Sequence, residues 1–175
     1  RALSYRGAWQ EAEDELAIST KYWKMTNNYE GLCIDGCYRS LLFLLYKNPQ
    51  KALIESQQAL KAWEEDAKTQ PKIRSLVRTT WLLGAAYCAN NELTLAEENL
   101  SKALNLCRQI NMVDHEANIL LDLARLRYAQ GDFKDAQEKA FEALVITERS
   151  GYVLQGADVN NFLATLALEG YKLEG

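Results

Sequence analysis

A few residues in this 175-residue chain have the type and spacing for chemistry. Cys33 and Cys37 stand four apart in a helical stretch and so face the same way. Such a pair could offer two ligands to a soft metal, while the even count of four cysteines could mean disulfides, although a secreted disulfide scaffold is usually shorter and richer in Cys. A metal needs more donors nearby, and the single histidine, His115, is remote in sequence. With Cys88 and Cys107 also standing alone, the four thiols read as reduced, partly buried small hydrophobes. His115 is flanked by Asp114 and Glu116, but sequence neighbours in a connection do not build a catalytic constellation. It reads as a surface or partly packed histidine. Arg78 with Trp81, and Arg125 with Tyr128, are three apart, which places each pair on one helical face. Arginine and large aromatics in that arrangement suit recognition, offering area, hydrogen bonds and cation–π contact.

The rest of the chain excludes several classes of function. Apolar content is 48% and charged content 25%, as in a folded domain. A net charge of −4 leaves no electrostatic footprint for nucleic acid. No phosphate-cradling GxxxxGK loop occurs, and the most apolar run, "LLFLLY" at 41–46, is too short to cross a bilayer. The acidic run Glu64-Glu65-Asp66 and the charges at 134–142 read as solvated helix faces. No catalytic residue, metal or cofactor is expected, and neither is an enzyme, a membrane partner or a nucleic-acid partner. A cytoplasmic location is expected. The chain opens on Arg rather than Met, which suggests a fragment or a processed product.

The elements that must position these residues are helices, since only two prolines interrupt a chain rich in strong helix formers. They repeat. In "RYAQGDFKDAQEKAFEAL" (127–144), Gly131, Phe133, Ala136, Ala140 and Ala143 form a frame. The frame recurs as Asn91, Leu93, Ala96, Leu100 and Ala103, then as Lys47, Pro49, Ala52, Ser56 and Ala59, then as Gly7, Trp9, Ala12, Leu16 and Ser19. The steps are forty, forty-four and forty residues. A preceding helical run recurs too: "WLLGAAYCA" (81–89), "LDLARLRYA" (121–129) and "NFLATLALE" (161–169), with "YRSLLFLLY" (38–46) fitting after a one-residue shortening. The unit is therefore helix, tight turn, helix, then a longer connection. Residues 1–6 read as the tail of a first helix, and 157–169 as a first helix without its partner.

The spacing has a steric reason. Gly84, Ala124 and Ala164 on the first helices let the second helices approach, and Ala96 and Ala136 do the same from the other side. Gly7, Asn91 and Gly131 suit a left-handed turn, whereas Lys47 does not, and Asn48-Pro49 offers a different turn there. Trp9, Leu93 and Phe133 are placed to plug the junctions.

The pattern resembles the tetratricopeptide repeat: a small residue and an aromatic in the first helix, a Gly-Asp-aromatic turn, then Ala-x3-bulky-x2-Ala. The period exceeds that family's basic unit of about thirty-four residues. In this it is similar to the long repeats of LGN-type adaptors and of STAND/NACHT-associated arrays. The resemblance implies an all-α, right-handed superhelical solenoid of antiparallel helix pairs, about eight helices long. It would form one array over 1–175, with units near 1–27, 28–68, 72–110 and 113–150 and a half-repeat at 155–170.

The resemblance also implies function: a protein or peptide ligand held on a concave face lined by the first helices. Carried over, that face comprises Asp35 and Tyr38, then Arg78 and Trp81, then Asn118, Leu121, Arg125 and Tyr128, and finally Asn161. Trp81 and Tyr128 have packing between repeats as their alternative role. The Lys, Asn and Arg set of the family's chaperone-binding clamp is not found. The leading expectation is a non-enzymatic interaction module. Alternatives are a regulatory sensor segment of a larger STAND-type signalling NTPase, and a scaffold that self-associates through Leu163, Leu166 and Leu168.

Overall fold

The computed structural model describes residues 7–174, and side chains for 7–169. Among these residues the chain is all-helical, as expected. Eight helices follow in order: α1 (Trp9–Met25), α2 (Tyr29–Leu45), α3 (Pro49–Ala67), α4 (Ile73–Ala89), α5 (Leu93–Gln109), α6 (Val113–Ala129), α7 (Phe133–Ser150) and α8 (Val153–Glu174). The reading of residues 1–6 as a helix tail lies outside the described residues.

One joint recurs between them. At residues 90–92, the Glu92 N–H donates to the Tyr87 carbonyl at 2.9 Å and the Asn91 N–H to the Cys88 carbonyl at 3.0 Å. Asn91 itself sits at φ +63. This is a Schellman termination, which satisfies carbonyls that the helix end would otherwise orphan. The same pair of bonds closes α1, α2, α5 and α6, around Asn27, Lys47, Asn111 and Gly131, all at positive φ. The residue after each left-handed one is then the N-cap of the next helix. Asn28, Asn48 and Asp132 accept from Gly31, Lys51 and Asp135 backbone N–H groups at 2.8, 3.2 and 3.0 Å.

Two sequence-based expectations change here. The turn at Lys47 (φ +54) is the same turn as the others, not a different one. Asn48 is committed on both sides, donating its N–H to Phe43 and capping α3, so the left-handed residue must be Lys47. The connections between repeats are also no longer than the turns within them. Only the joint after α3, at 68–72, is extended. The forty-residue period comes from 17-residue helices on three-residue joints.

The chain divides into two compact units, 1–103 and 104–175, the boundary falling within α5. In the first, α2 packs on α1, α3 and α4, and α3 on α4. Short joints make successive helices antiparallel. Contacts of small residues set their separation. A Cβ on Gly84 would lie 2.8 Å from Leu100 Cγ and 2.9 Å from the Leu100 nitrogen. Ala52, Ala59 and Ala96 are fully buried, and Phe43 packs with Ala52 and Ala86 at the centre of a local cluster. In the second unit α7 packs on α6 and α8, with Ala124, Ala136, Ala140 and Ala143 fully buried. Each unit thus has the pairwise, neighbour-on-neighbour packing of a helical solenoid.

Ala164 is exposed, so it does not admit a neighbouring helix as Gly84 and Ala124 do. Phe133 is also largely exposed, lying edge-on to Tyr128 instead of plugging a junction, while Trp9 is half-buried against Tyr46. Of the three leucines on α8, Leu168 is exposed and Leu163 and Leu166 are half-buried.

Candidate partner-binding surfaces

The first helices α2, α4 and α6 all have 17 residues and end in the same turn, which fixes their register. Counting back from the left-handed residue aligns Ser40 with Gly84 and Ala124, and Cys37 with Trp81 and Leu121. No one-residue shortening occurs in "YRSLLFLLY". Tyr38 therefore aligns with Leu82 and Asp122, one step round the helix from Trp81.

In the first unit, Asp35 is buried and turned onto α1. It accepts from the Ser19 hydroxyl at 2.5 Å and the Thr20 hydroxyl at 3.0 Å. Tyr38 is exposed, Arg78 half-buried, and Trp81 buried at 6% exposure. Arg78 lies close enough to Cys33 to influence its thiol. Cys33 and Cys37 are free, buried and hydrogen-bonded to each other. The bond from Cys37 lowers the Cys33 thiol below its ordinary range, against burial and helped by Arg78. Cys37 is raised, by that same bond and then by burial. Cys107 is buried as well, so three of the four thiols are core residues and only Cys88 is half-buried.

The long joint at 68–72 is tied down near this region. Lys72 Nζ reaches Glu30 at 2.6 Å and Asp66 at 3.4 Å, and the Trp63 indole donates to the Lys72 carbonyl at 3.0 Å. The Glu30 contact is the main reason the Lys72 ammonium is held above its usual range.

In the second unit, Leu121 is buried and Tyr128 stacks edge-on to Phe133 and Phe162, with centroids 5.5 and 6.1 Å away. Asn118 is half-buried, and Arg125 and Asn161 are exposed. Arg125 Nη1 lies 2.7 Å from Asp122 Oδ1. On α6, Asn118, Asp122 and Arg125, spaced four and three, share one strip, of which Arg125 is exposed and the other two half-buried, with Leu121 and Tyr128 rotated to its side. Sequence reasoning missed Asp122. Its signal was an acid three residues before Arg125 on the same helix.

His115 is buried in the first turn of α6, not at the surface of a connection, with Nδ1 2.8 Å from Asp114 Oδ2. Nearby, Arg108 pairs with Glu116 at 2.7 Å and also with Glu142. Among the described residues, no group of three or more His, Cys, Asp and Glu side chains is placed to hold a metal ion. No helix there is long and apolar enough to cross a membrane.

Residues 76–148 match the family model described as tetratricopeptide repeat. The match runs from α4 to α7, and this segment is a tetratricopeptide-repeat segment. It is with that a protein–protein interaction module in the general sense. No curated protein matches the chain at a significant level.

Proposed function

We propose that the first helices present partner-binding faces to a peptide or a segment of a partner domain, and that Arg125 anchors the face of the second unit. The observation that carries this reading is the state of Arg125 in a segment of known repeat family. Its side chain is 49% exposed, yet its guanidinium is held one turn away by Asp122. A pre-oriented arginine loses less freedom on binding than a loose one, and it can fork onto a carboxylate or peptide carbonyl. Asn161 adds an exposed amide in that unit, and Asn118 a half-buried one. In the first unit Tyr38 and Arg78 are the corresponding contacts. Asp35, Trp81, Leu121 and Tyr128 act as supports that hold these residues in place.

The test is affinity capture followed by titration of an identified partner. Arg125→Ala is expected to weaken binding by about tenfold or more, as for hot-spot arginines. Gln137→Ala, on the exposed surface of α7, should leave it unchanged. Wild-type affinity in Arg125→Ala, Arg78→Ala and Tyr38→Ala alike would sink the reading.

A further inference from the structure

A cleft of about 190 Å³ opens between α1, α2 and α3 in the first unit. Thr20, Lys24, Gly36, Arg39, Glu55 and Gln58 line it. Helix α3 runs close to α2 at Gly36, where a Cβ would lie 2.9 Å from that of Ala59.

The charges in this cleft are unusually placed. Arg39 donates one Nη–H to the Thr20 hydroxyl at 3.2 Å, and Thr20 gives its own proton to Asp35. Arg39 Nε is buried and has no protein acceptor among the described residues. Among the described residues, no carboxylate lies within ion-pair reach of Lys24 or Arg39, although Glu55 shares the cleft with both. Leaving a buried charged donor unmet is costly. Three cations, Arg39, Lys24 and Lys51, act on Glu55, with Glu13 opposing them. The cleft is a locally cationic site in a chain of net charge −4.

We propose that this cleft is a carboxylate-binding site, with Arg39 and Lys24 holding the anion and the Gln58 amide completing its shell, and that its occupant is an acidic side chain of a partner polypeptide. A planar guanidinium matches a carboxylate. A phosphate dianion fits less well, because it would bring two charges up to Glu55. A single carboxylate brings only one charge up to Glu55, whose own carboxyl burial holds above its ordinary range. The polypeptide source rests on the proposed function, in which segments of partner proteins are the ligands of this chain. Arg39 stands on the first helix α2, and the other two walls, α1 and α3, lie outside the first-helix faces.

The experiment uses the full chain, labelled with nitrogen-15. A short oligoglutamate blocked at both ends is titrated while the Arg39 Nε–H resonance and the affinity are followed. The matched oligoglutamine and free glutarate serve as comparisons. The oligoglutamate is expected to move the Arg39 resonance and the oligoglutamine to leave it in place. Lys24→Glu, on an exposed side chain, should weaken binding by about tenfold or more. Glu55→Gln should strengthen it, which a merely structural role would not do. A response to glutarate without one to the blocked peptide overturns the polypeptide as source. An Arg39 resonance that no carboxylate moves, or equal binding to Lys24→Glu, overturns the site itself.

Discussion

Ser40 stands where Gly84 and Ala124 stand in the later repeats, and its hydroxyl is buried with no protein partner among the described residues. A buried hydroxyl without a hydrogen bond costs about 1–3 kcal/mol, whereas the methyl of alanine fits the same space. Ser40→Ala is therefore expected to stabilise the chain by about 1 kcal/mol, which for this size raises Tm by about 2–4 °C. A thermal melt showing an equal or lower Tm would refute the register that places Ser40 with Gly84. Glu55 makes a second case. Burial is the main cause that raises its carboxyl above the ordinary range. The folded state then holds that proton at pH values where the unfolded chain has released it, so stability falls as pH rises through the folded pKa. Glu55→Gln should raise Tm at neutral pH, with the gain shrinking as the pH drops through the raised pKa. A gain independent of pH would contradict the assignment. Neither residue was legible as special in the sequence. The partners and neighbours that decide their states lie on other helices, as Ser19 and Thr20 do for Asp35.

Helices were far more legible than their joints. Gly131 and Asn91 announced left-handed turns because glycine lacks a Cβ and asparagine tolerates positive φ, and Lys47 hid the same turn because lysine seldom adopts it. The alanine and glycine contacts could be read as well, since small residues at helical spacing imply close neighbours. Gly84 tests that logic where two effects compete. Alanine is the better helix former by about 1 kcal/mol. Yet its methyl would press on the Leu100 backbone nitrogen at 2.9 Å, and backbone cannot move aside as a side-chain tip can. Overpacking of about 1–3 kcal/mol should win, so Gly84→Ala lowers Tm. A higher Tm would mean that α5 can retreat without cost. The candidate faces were only half legible at this scale. Helical spacing grouped Asn118, Leu121, Arg125 and Tyr128, but the strip that carries exposed Arg125 runs through half-buried Asp122, because α7 and α8 together claim the Tyr128 side.

Across the whole molecule, the joints leave almost no spare chain. From α4 to α7 every helix–helix link is three residues, and each of these is already committed to closing one helix or opening the next. The sequence can therefore be edited here only in whole steps. One inserted residue turns everything after it by about 100° about the helix axis, carrying the alanine ridge off its neighbour. Removing residues 91–130 instead joins Asn90 directly to Gly131-Asp132 and restores the same turn. Circular dichroism should show helicity per residue and cooperative melting retained in the forty-residue excision. Both should be degraded by a single alanine inserted after Glu98. The reverse outcome would show that the joints flex. If the expected outcome holds, such a chain changes length by gaining or losing complete units, and drift of a residue at a time is closed to it.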